Sequence, residues 1–147
     1  MRLTRFTDYS LRVLIYLGQN SDSRVTIHQI SEAYDISRNH LMKVVSNLTR
    51  LQIVAAQRGP GGGIQLNRSP EDISLNEVIA NTEKHLQQHE VSMTSDGGTL
   101  TADKRLSSYL HHALQVYLEA LGHFTLADVI EPQTETAQLL CMTGKAA

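Results

Sequence analysis

The sequence contains a single cysteine, Cys141, among its 147 residues. One thiol cannot form an internal disulfide, and this composition is typical of a reducing cytoplasm. No apolar run approaches the ~20 residues that span a bilayer, and the first residues, MRLTRFTDYS, lack the apolar stretch of a signal peptide. No nucleophile–base arrangement or closely spaced carboxylate pair stands out, so we do not expect an enzyme. These absences indicate a cytoplasmic protein without a membrane segment.

Charge is divided unevenly along the chain. Residues 1–68 carry nine Lys and Arg against four acids, a net charge of +5, whereas residues 69–147 carry four against eleven, a net charge of −7. A basic half indicates a polyanionic partner such as nucleic acid, and chance segregation on a solvated surface is the alternative. The length suits one domain with a substantial core.

The first fifty residues predict a helix-turn-helix. Thr7 is expected to cap a first helix that ends near Gly18 to Asn20. Thr26 and Gln29 form a capping box before a short second helix. After a tight turn, Ser37 caps a third helix whose apolar residues repeat at helical spacing: Leu41, Val44, Val45 and Leu48.

The opposite face of the third helix is polar and basic. It consists of Asn39, Lys43, Ser46, Asn47 and Arg50. Asn and Arg can form paired hydrogen bonds with base edges, while Lys binds phosphate, so this face is suited to DNA recognition. A solvated helix face is the alternative.

A hairpin is predicted next, because residues 53–59 and 64–67 favour two short strands joined by a glycine-rich turn. A helix-turn-helix followed by a hairpin is a winged helix, and Arg58 beside Gly59 at its edge could enter a DNA minor groove. A phosphate-binding nucleotide loop would need a following helix, but the chain continues into Ile64 and Leu66.

The second half predicts a short helix with a Ser74–Glu77 capping box and a long helix from Asp103 to Phe124. A short capped turn at Thr125 follows the long helix. One side of the long helix can cover its own domain while the other meets a second copy, and purely intramolecular burial is the alternative. The apolar residues of the long helix are Leu106, Leu110, Ala113, Leu114, Tyr117, Leu118, Ala120, Leu121 and Phe124.

The chain therefore divides into four predicted parts. Residues 1–83 form a winged-helix DNA-binding domain, 84–102 a flexible loop, 103–130 the dimerisation helix with its cap, and 131–147 a frayed tail. The fold class is mainly α.

Four segments together resemble the NsrR/IscR family of bacterial winged-helix transcription regulators, especially its nitric-oxide-sensing NsrR branch: MRLTRFTDYSLRVLIYL, ISRNHLMKVVSNL, RGPGGGIQL and FTLADVI. The similarity covers about residues 1–130. It implies a homodimeric regulator on a palindromic operator, which we expect to be a repressor. It also implies a DNA-reading helix start at Ser37, Arg38, Asn39, His40 and Lys43, with Arg58 and Gly59 in the minor groove.

The resemblance also implies a sensor that this chain lacks. Typical members bind an iron–sulfur cluster through three cysteines ahead of the long helix, but Met93, Gly98 and Lys104 occupy the corresponding positions here. We therefore expect no cluster. Asp8 matches a position from which some nitric-oxide sensors supply an oxygen ligand, and it also suits the first turn of a helix by charge.

Other sensing chemistries stay open. His85 and His89 lie four residues apart, a spacing compatible with a zinc-type metal, although solvated histidines are the simpler interpretation. Cys141 is either an incidental thiol or a redox sensor. An unknown small molecule could act as effector, and a winged-helix adaptor that binds protein instead of DNA is a further alternative.

Overall fold

The computed structural model describes residues 3–83 and 101–131, with side chains from 105 onwards in the second range. Most described residues are helical, and the two strands form one antiparallel hairpin. The elements in chain order are α1 (Arg5–Gln19), α2 (Ile27–Tyr34), α3 (Arg38–Arg50), β1 (Val54–Gln57), β2 (Gly63–Leu66), a 3-10 turn (Pro70–Asp72), α4 (Leu75–Thr82), α5 (Thr101–Gly122) and α6 (Leu126–Ile130).

Helix α1 is capped by Thr4, so the prediction that Thr7 caps it was wrong. The Thr4 side chain accepts the Thr7 backbone N–H at 3.3 Å, and Thr7 is itself buried in the first turn. Both threonines are residue types that cap helices. Arg5 and Phe6 are already helical, and Phe6 packs on the core, so the cap lies at Thr4 and not at Thr7. The end is as predicted, with Asn20 as the C-cap.

Both predicted caps of the helix-turn-helix are confirmed. The Thr26 hydroxyl accepts the backbone N–H of Gln29, and the Gln29 side chain accepts the backbone N–H of Thr26. In α3, the Ser37 side chain accepts the backbone N–H of His40. Between the helices, Asp35 adopts a left-handed conformation with φ of 52°, which ends α2 and turns the chain into α3. The four predicted apolar residues of α3 are all buried.

The predicted wing is also present. β1 pairs with β2 from Val54 opposite Leu66 to Gln57 opposite Gly63. Ile64 bonds back to Val25 through two backbone hydrogen bonds of 2.9 and 2.7 Å, which joins the hairpin to the segment before α2. The turn between the strands contains two glycines at positive φ, Gly59 and Gly61.

The capping box predicted at Ser74 does not form, although α4 begins where expected. The Ser74 side chain makes no capping hydrogen bond, and the Glu77 carboxylate accepts from Arg68 Nη2 at 2.7 Å. In α6 the equivalent box does form, since Asp128 accepts the N–H and the hydroxyl of Thr125. These two bonds hold the pKa of Asp128 below its ordinary value.

Helix α5 begins two residues earlier than predicted, so Thr101 and Ala102 belong to the helix and not to the preceding loop. It also ends two residues earlier, at Gly122, because the Phe124 carbonyl leaves the helix to accept the N–H of Leu75 at 3.0 Å. The helix packs on α4, while α6 packs on α1, where Ile130 lies against Gly18.

One apolar core joins α1, α2, α3, α4, α6 and the hairpin, and its fully buried members include Val13, Leu14, Ile30, Leu41, Val44, Leu48, Ile53, Ile73 and Val78. Helix α5 contributes no buried residue to this core within the described side chains. In the described ranges, no helix combines the length and apolar character that a membrane span requires.

Candidate nucleic-acid interface

The exposed face of α3 is polar, cationic and free of acids. Asn39, Met42, Lys43 and Ser46 line an open groove along the helix, at successive i, i+3, i+4 and i+7 positions. The sequence of α3 contains no carboxylate, whereas Arg38, Lys43 and Arg50 each bring a positive charge. This face can therefore approach a phosphate backbone without like-charge repulsion.

The start of α3 is held in place by contacts with the two preceding helices. The Ser37 hydroxyl lies 2.8 Å from His40 Nδ1, and the His40 ring lies 5.9 Å from the ring of Tyr9 in α1. Arg38 Nη2 lies 3.0 Å from His28 Nδ1 in α2. Because arginine only donates hydrogen bonds, that nitrogen of His28 is the acceptor.

Asn47 does not lie fully on the exposed face as the sequence spacing predicts. The residue is half-buried, and its Nδ2 is buried without a hydrogen-bond partner among the described residues. Its Oδ1 accepts from Arg50 Nη2 at 2.9 Å. Asn47 therefore orients Arg50, and its own amide is poorly placed to contact a base.

Met42 is the residue of this face that sequence reasoning missed. Its side chain is 50% exposed on α3, which is unusual for an apolar residue between polar neighbours. The helical spacing also predicts this position on the exposed face, since residue 42 lies three residues after Asn39 and four before Ser46. An apolar side chain here can contact a thymine methyl group.

Arg58 and Gly59 lie at the tip of the wing and are both exposed. Gly59 has φ of 97°, a conformation that non-glycine residues rarely adopt, so the turn requires glycine at this position. At the neighbouring Gly62, an added Cβ would meet the carbonyl of Gln57. The glycines thus produce the tight turn that projects Arg58.

The cations of the interface are not neutralised by carboxylates in residues 3–83 and 101–131. The ion pairs found there join Arg12 to Asp8, His28 to Glu32 and Arg68 to Glu77. Of these pairs, only His28–Glu32 lies next to the start of α3, because His28 is hydrogen-bonded to Arg38. Lys43, Arg50 and Arg58 have no ion-pair partner in that part of the chain, which leaves their charges available to phosphates.

The predicted dimerisation residues divide between two sides of α5. Leu106, Leu110 and Ala113 are exposed, together with Tyr109 and Val116. Leu114, Tyr117 and Leu121 are half-buried, on the side where α5 meets α4 and where Gly122 lies against Asn76. Burial, and secondarily the charge of Glu83, raises the pKa of Tyr117. The exposed set therefore leaves a continuous apolar strip uncovered.

The candidate metal ligands give no complete site in the described part of the chain. Asp8 Oδ1 and Oδ2 both accept from Arg12 Nε, at 3.1 and 3.0 Å, as expected for a first-turn acid paired within its helix. No group of three His, Cys, Asp or Glu side chains comes together among these residues. His85, His89, Met93, Gly98 and Cys141 lie outside the described residues, and only the backbone of Lys104, in α5, is described.

The cysteine content of the sequence bears on the iron–sulfur cluster that the family resemblance implies. Such clusters are bound mainly by cysteine thiolates, with histidine replacing some of them in certain types. A chain with one cysteine in total cannot supply three thiolates.

The comparisons with known proteins agree with this geometry. The family described as Rrf2, iron-dependent transcriptional regulator, matches residues 3–132. The chain belongs to the Rrf2 family. Its relatives include the HTH-type transcriptional regulators NsrR of Bacillus licheniformis, 42% identical over 95% of this chain and 99% of the relative, and NsrR of Bacillus subtilis, 40% identical over 97% and 99%. The chain is thus a DNA-binding transcription regulator and not an enzyme.

Solved structures confirm the winged-helix fold of this Rrf2-family chain. CymR, the global cysteine regulator of B. subtilis, superposes with a TM-score of 0.70 at 22% identity, over 88% of this chain and 96% of that one. IscR of T. potens superposes with a TM-score of 0.69 at 22% identity, over 92% and 96%. At these identities the likeness establishes the fold alone.

Proposed function

We propose that this Rrf2-family protein is a homodimeric repressor that binds a palindromic operator without an iron–sulfur cluster. The observation that carries the DNA-binding part is the acid-free, exposed face of α3, placed beside a wing with an exposed arginine at its tip. Major-groove and minor-groove elements on one domain suit a winged helix on duplex DNA.

In the proposed complex, α3 lies in the major groove. The Asn39 amide is suited to the paired donor and acceptor of an adenine edge, and Met42 to a thymine methyl group. Lys43 contacts phosphate or a guanine edge. Arg58 enters the adjacent minor groove, where a narrow groove concentrates negative potential.

The homodimer rests on the uncovered apolar strip of α5. Leu106 and Leu110 are 52% and 54% exposed, and Tyr109 is 67% exposed. A strip of this kind along a helix is typical of a surface that associates with another protein. A two-fold dimer would present two α3 helices and two wings, and such symmetry matches a palindromic operator.

The cluster-free state is supported by the donor set of the whole sequence. One cysteine is too few for a thiolate-bound cluster, although the family is described as iron-dependent. The input signal must then be read by other chemistry, such as a small-molecule effector, the His85 and His89 pair, or Cys141.

Replacing Arg58 tests the proposed DNA contact. An operator is first selected from a random-sequence duplex pool with the wild-type protein, and binding is then followed by fluorescence anisotropy. Arg58→Ala should weaken operator binding by roughly 1–3 kcal/mol, because it removes a charged contact to DNA. Arg12→Ala is the matched control, since this arginine is already paired with Asp8. Equal affinities for the Arg58 variant and the wild type would contradict the wing assignment.

A further inference from the structure

A cleft separates the beginning of α1 from the beginning of α3, beside the groove-lining face of α3. Its volume is about 230 Å³, and its walls are Arg5, Phe6, Tyr9, His40, Lys43 and Val44. Among the described residues, neither the wing nor Asp8 lines the cleft.

The walls of the cleft combine an apolar floor with polar and charged sides. Val44 is fully buried and Phe6 is half-buried, so both are fixed by the core. Tyr9 and His40 meet across the two helices with 5.9 Å between ring centroids. Ser37 holds the His40 ring through Nδ1, and when the serine donates that bond the ring carries its proton on Nε2, which then is a donor.

The charge of the cleft is positive. Arg5 and Lys43 line it, and no carboxylate of residues 3–83 or 105–131 does. The nearby Asp8 is bound by Arg12, and the buried Glu83 accepts the backbone N–H of Thr4 at 2.6 Å. Two cations, a phenol and an imidazole around a small cavity form the donor set that a tetrahedral oxyanion prefers.

We propose that this cleft binds one phosphodiester group of the DNA backbone, at the edge of the major groove that α3 reads. Lys43 lines both the cleft and the open groove of α3, so the two are parts of one continuous surface. A phosphate held by Arg5 and Lys43 fixes how deeply α3 enters the groove, without reading sequence. The proposal rests on the proposed DNA-binding function and adds α1 to the interface.

The test measures how binding depends on salt. The slope of log K against log salt is negative, and each phosphate neutralised by the protein adds about 0.9 to its magnitude. Changes of slope below refer to this magnitude. Arg5→Gln should lower this slope by about 1 and weaken the selected operator and a mixed-sequence duplex by the same factor. Arg5→Lys keeps the charge, so its slope should recover at least about half of the magnitude that Arg5→Gln loses.

Arg12→Gln is the matched control, because it removes the same charge from the same helix two turns further on. Its guanidinium is bound to Asp8 and lies 5.5 Å from the centre of the Tyr34 ring, outside the cleft. Its slope should equal that of the wild type. Thermal unfolding by circular dichroism checks that the exposed Arg5 variants fold.

Three results would overturn the proposal in distinguishable ways. A wild-type slope in Arg5→Gln would remove the cleft from the interface while leaving the proposed function intact. A failure of wild-type protein to bind any duplex would contradict the proposed function itself. Inorganic phosphate, added at constant ionic strength, should displace more DNA from the wild type than chloride does, and Arg5→Gln should lose this difference. Equal displacement of DNA from the wild type by the two anions would mean that the cleft does not select a phosphate group.

Discussion

Gln52 is the clearest case of a single residue held in an unfavourable conformation. It has φ of 58° directly after α3, and its carbonyl accepts from Asn67 Nδ2 at 3.0 Å. Left-handed backbone at the end of a helix most often belongs to glycine, because a side chain there is strained. The exposed position makes it possible to relieve this strain without changing the core.

We therefore expect Gln52→Gly to raise the free energy of unfolding by up to about 1 kcal/mol. The carbonyl that accepts from Asn67 is retained in the variant. Urea denaturation with an unchanged m value is the measurement, and Gln52→Val, which increases the strain, is the opposite control. Destabilisation by glycine would mean that the extra freedom of the unfolded chain outweighs the relief of strain.

Individual site residues were only partly predictable from the sequence. The spacing of Asn39, Lys43 and Ser46 gave the exposed face correctly, since helical periodicity is a local property. The burial of the Asn47 amide depends on the packing around α3, which no local pattern contains. The cleft of Arg5 and Lys43 joins residues far apart in the chain, so only the packing of α1 on α3 reveals it.

Helix starts illustrate the same limit at the level of elements. Thr26 and Gln29 form their capping box, but Ser74 and Glu77 do not, although both pairs have the same spacing. Arg68, which precedes the helix by several residues, forms an ion pair with the carboxylate of Glu77. The Glu77 carboxylate thus has a partner outside the four-residue motif, which the spacing of Ser74 and Glu77 does not reveal.

The two helix starts should respond differently to the same substitution. Thr26→Ala should cost about 1 kcal/mol of stability, because it removes a functioning cap. Ser74→Ala should change stability by less than about 0.5 kcal/mol, since the Ser74 side chain makes no capping bond. Chemical denaturation of the two variants and the wild type gives the comparison. A loss of similar size at Ser74 would mean that its hydroxyl caps α4 after all.

The order of elements was accessible from the sequence because each has its own local signal. Caps and helical periodicity predicted α1, α2 and α3, and the glycine-rich turn predicted the hairpin. The C-terminal end of α5 lies two residues before the predicted one, because Phe124 makes a backbone hydrogen bond with Leu75, a tertiary contact that no local pattern shows. The family resemblance and the structure agree on the mainly α winged-helix fold.

At the scale of the whole molecule, the proposed dimer through α5 would let one small domain read two half-sites. Its half-buried side rests on α4, and its exposed side presents Leu106, Tyr109 and Leu110. Burying that strip against a second copy removes apolar surface from water and supplies the energy of association.

The dimer can be tested by placing a charge on the exposed strip. Leu110→Asp should give a monomer by light scattering, because burying an unpaired carboxylate in an apolar interface is costly. Ser108→Asp is the matched control, since it introduces the same charge about 200° around the helix. A dimer that persists in Leu110→Asp would place the subunit interface elsewhere.

We propose above all that the DNA-reading domain of this protein works without an iron–sulfur cluster. The most direct test is an anisotropy titration of the selected operator with protein freed of metal by a chelator. We expect the metal-free protein to bind the operator about 10³-fold or more tightly than mixed-sequence DNA, as untreated protein does. Specific binding that disappears on chelation and returns with iron and sulfide would contradict it.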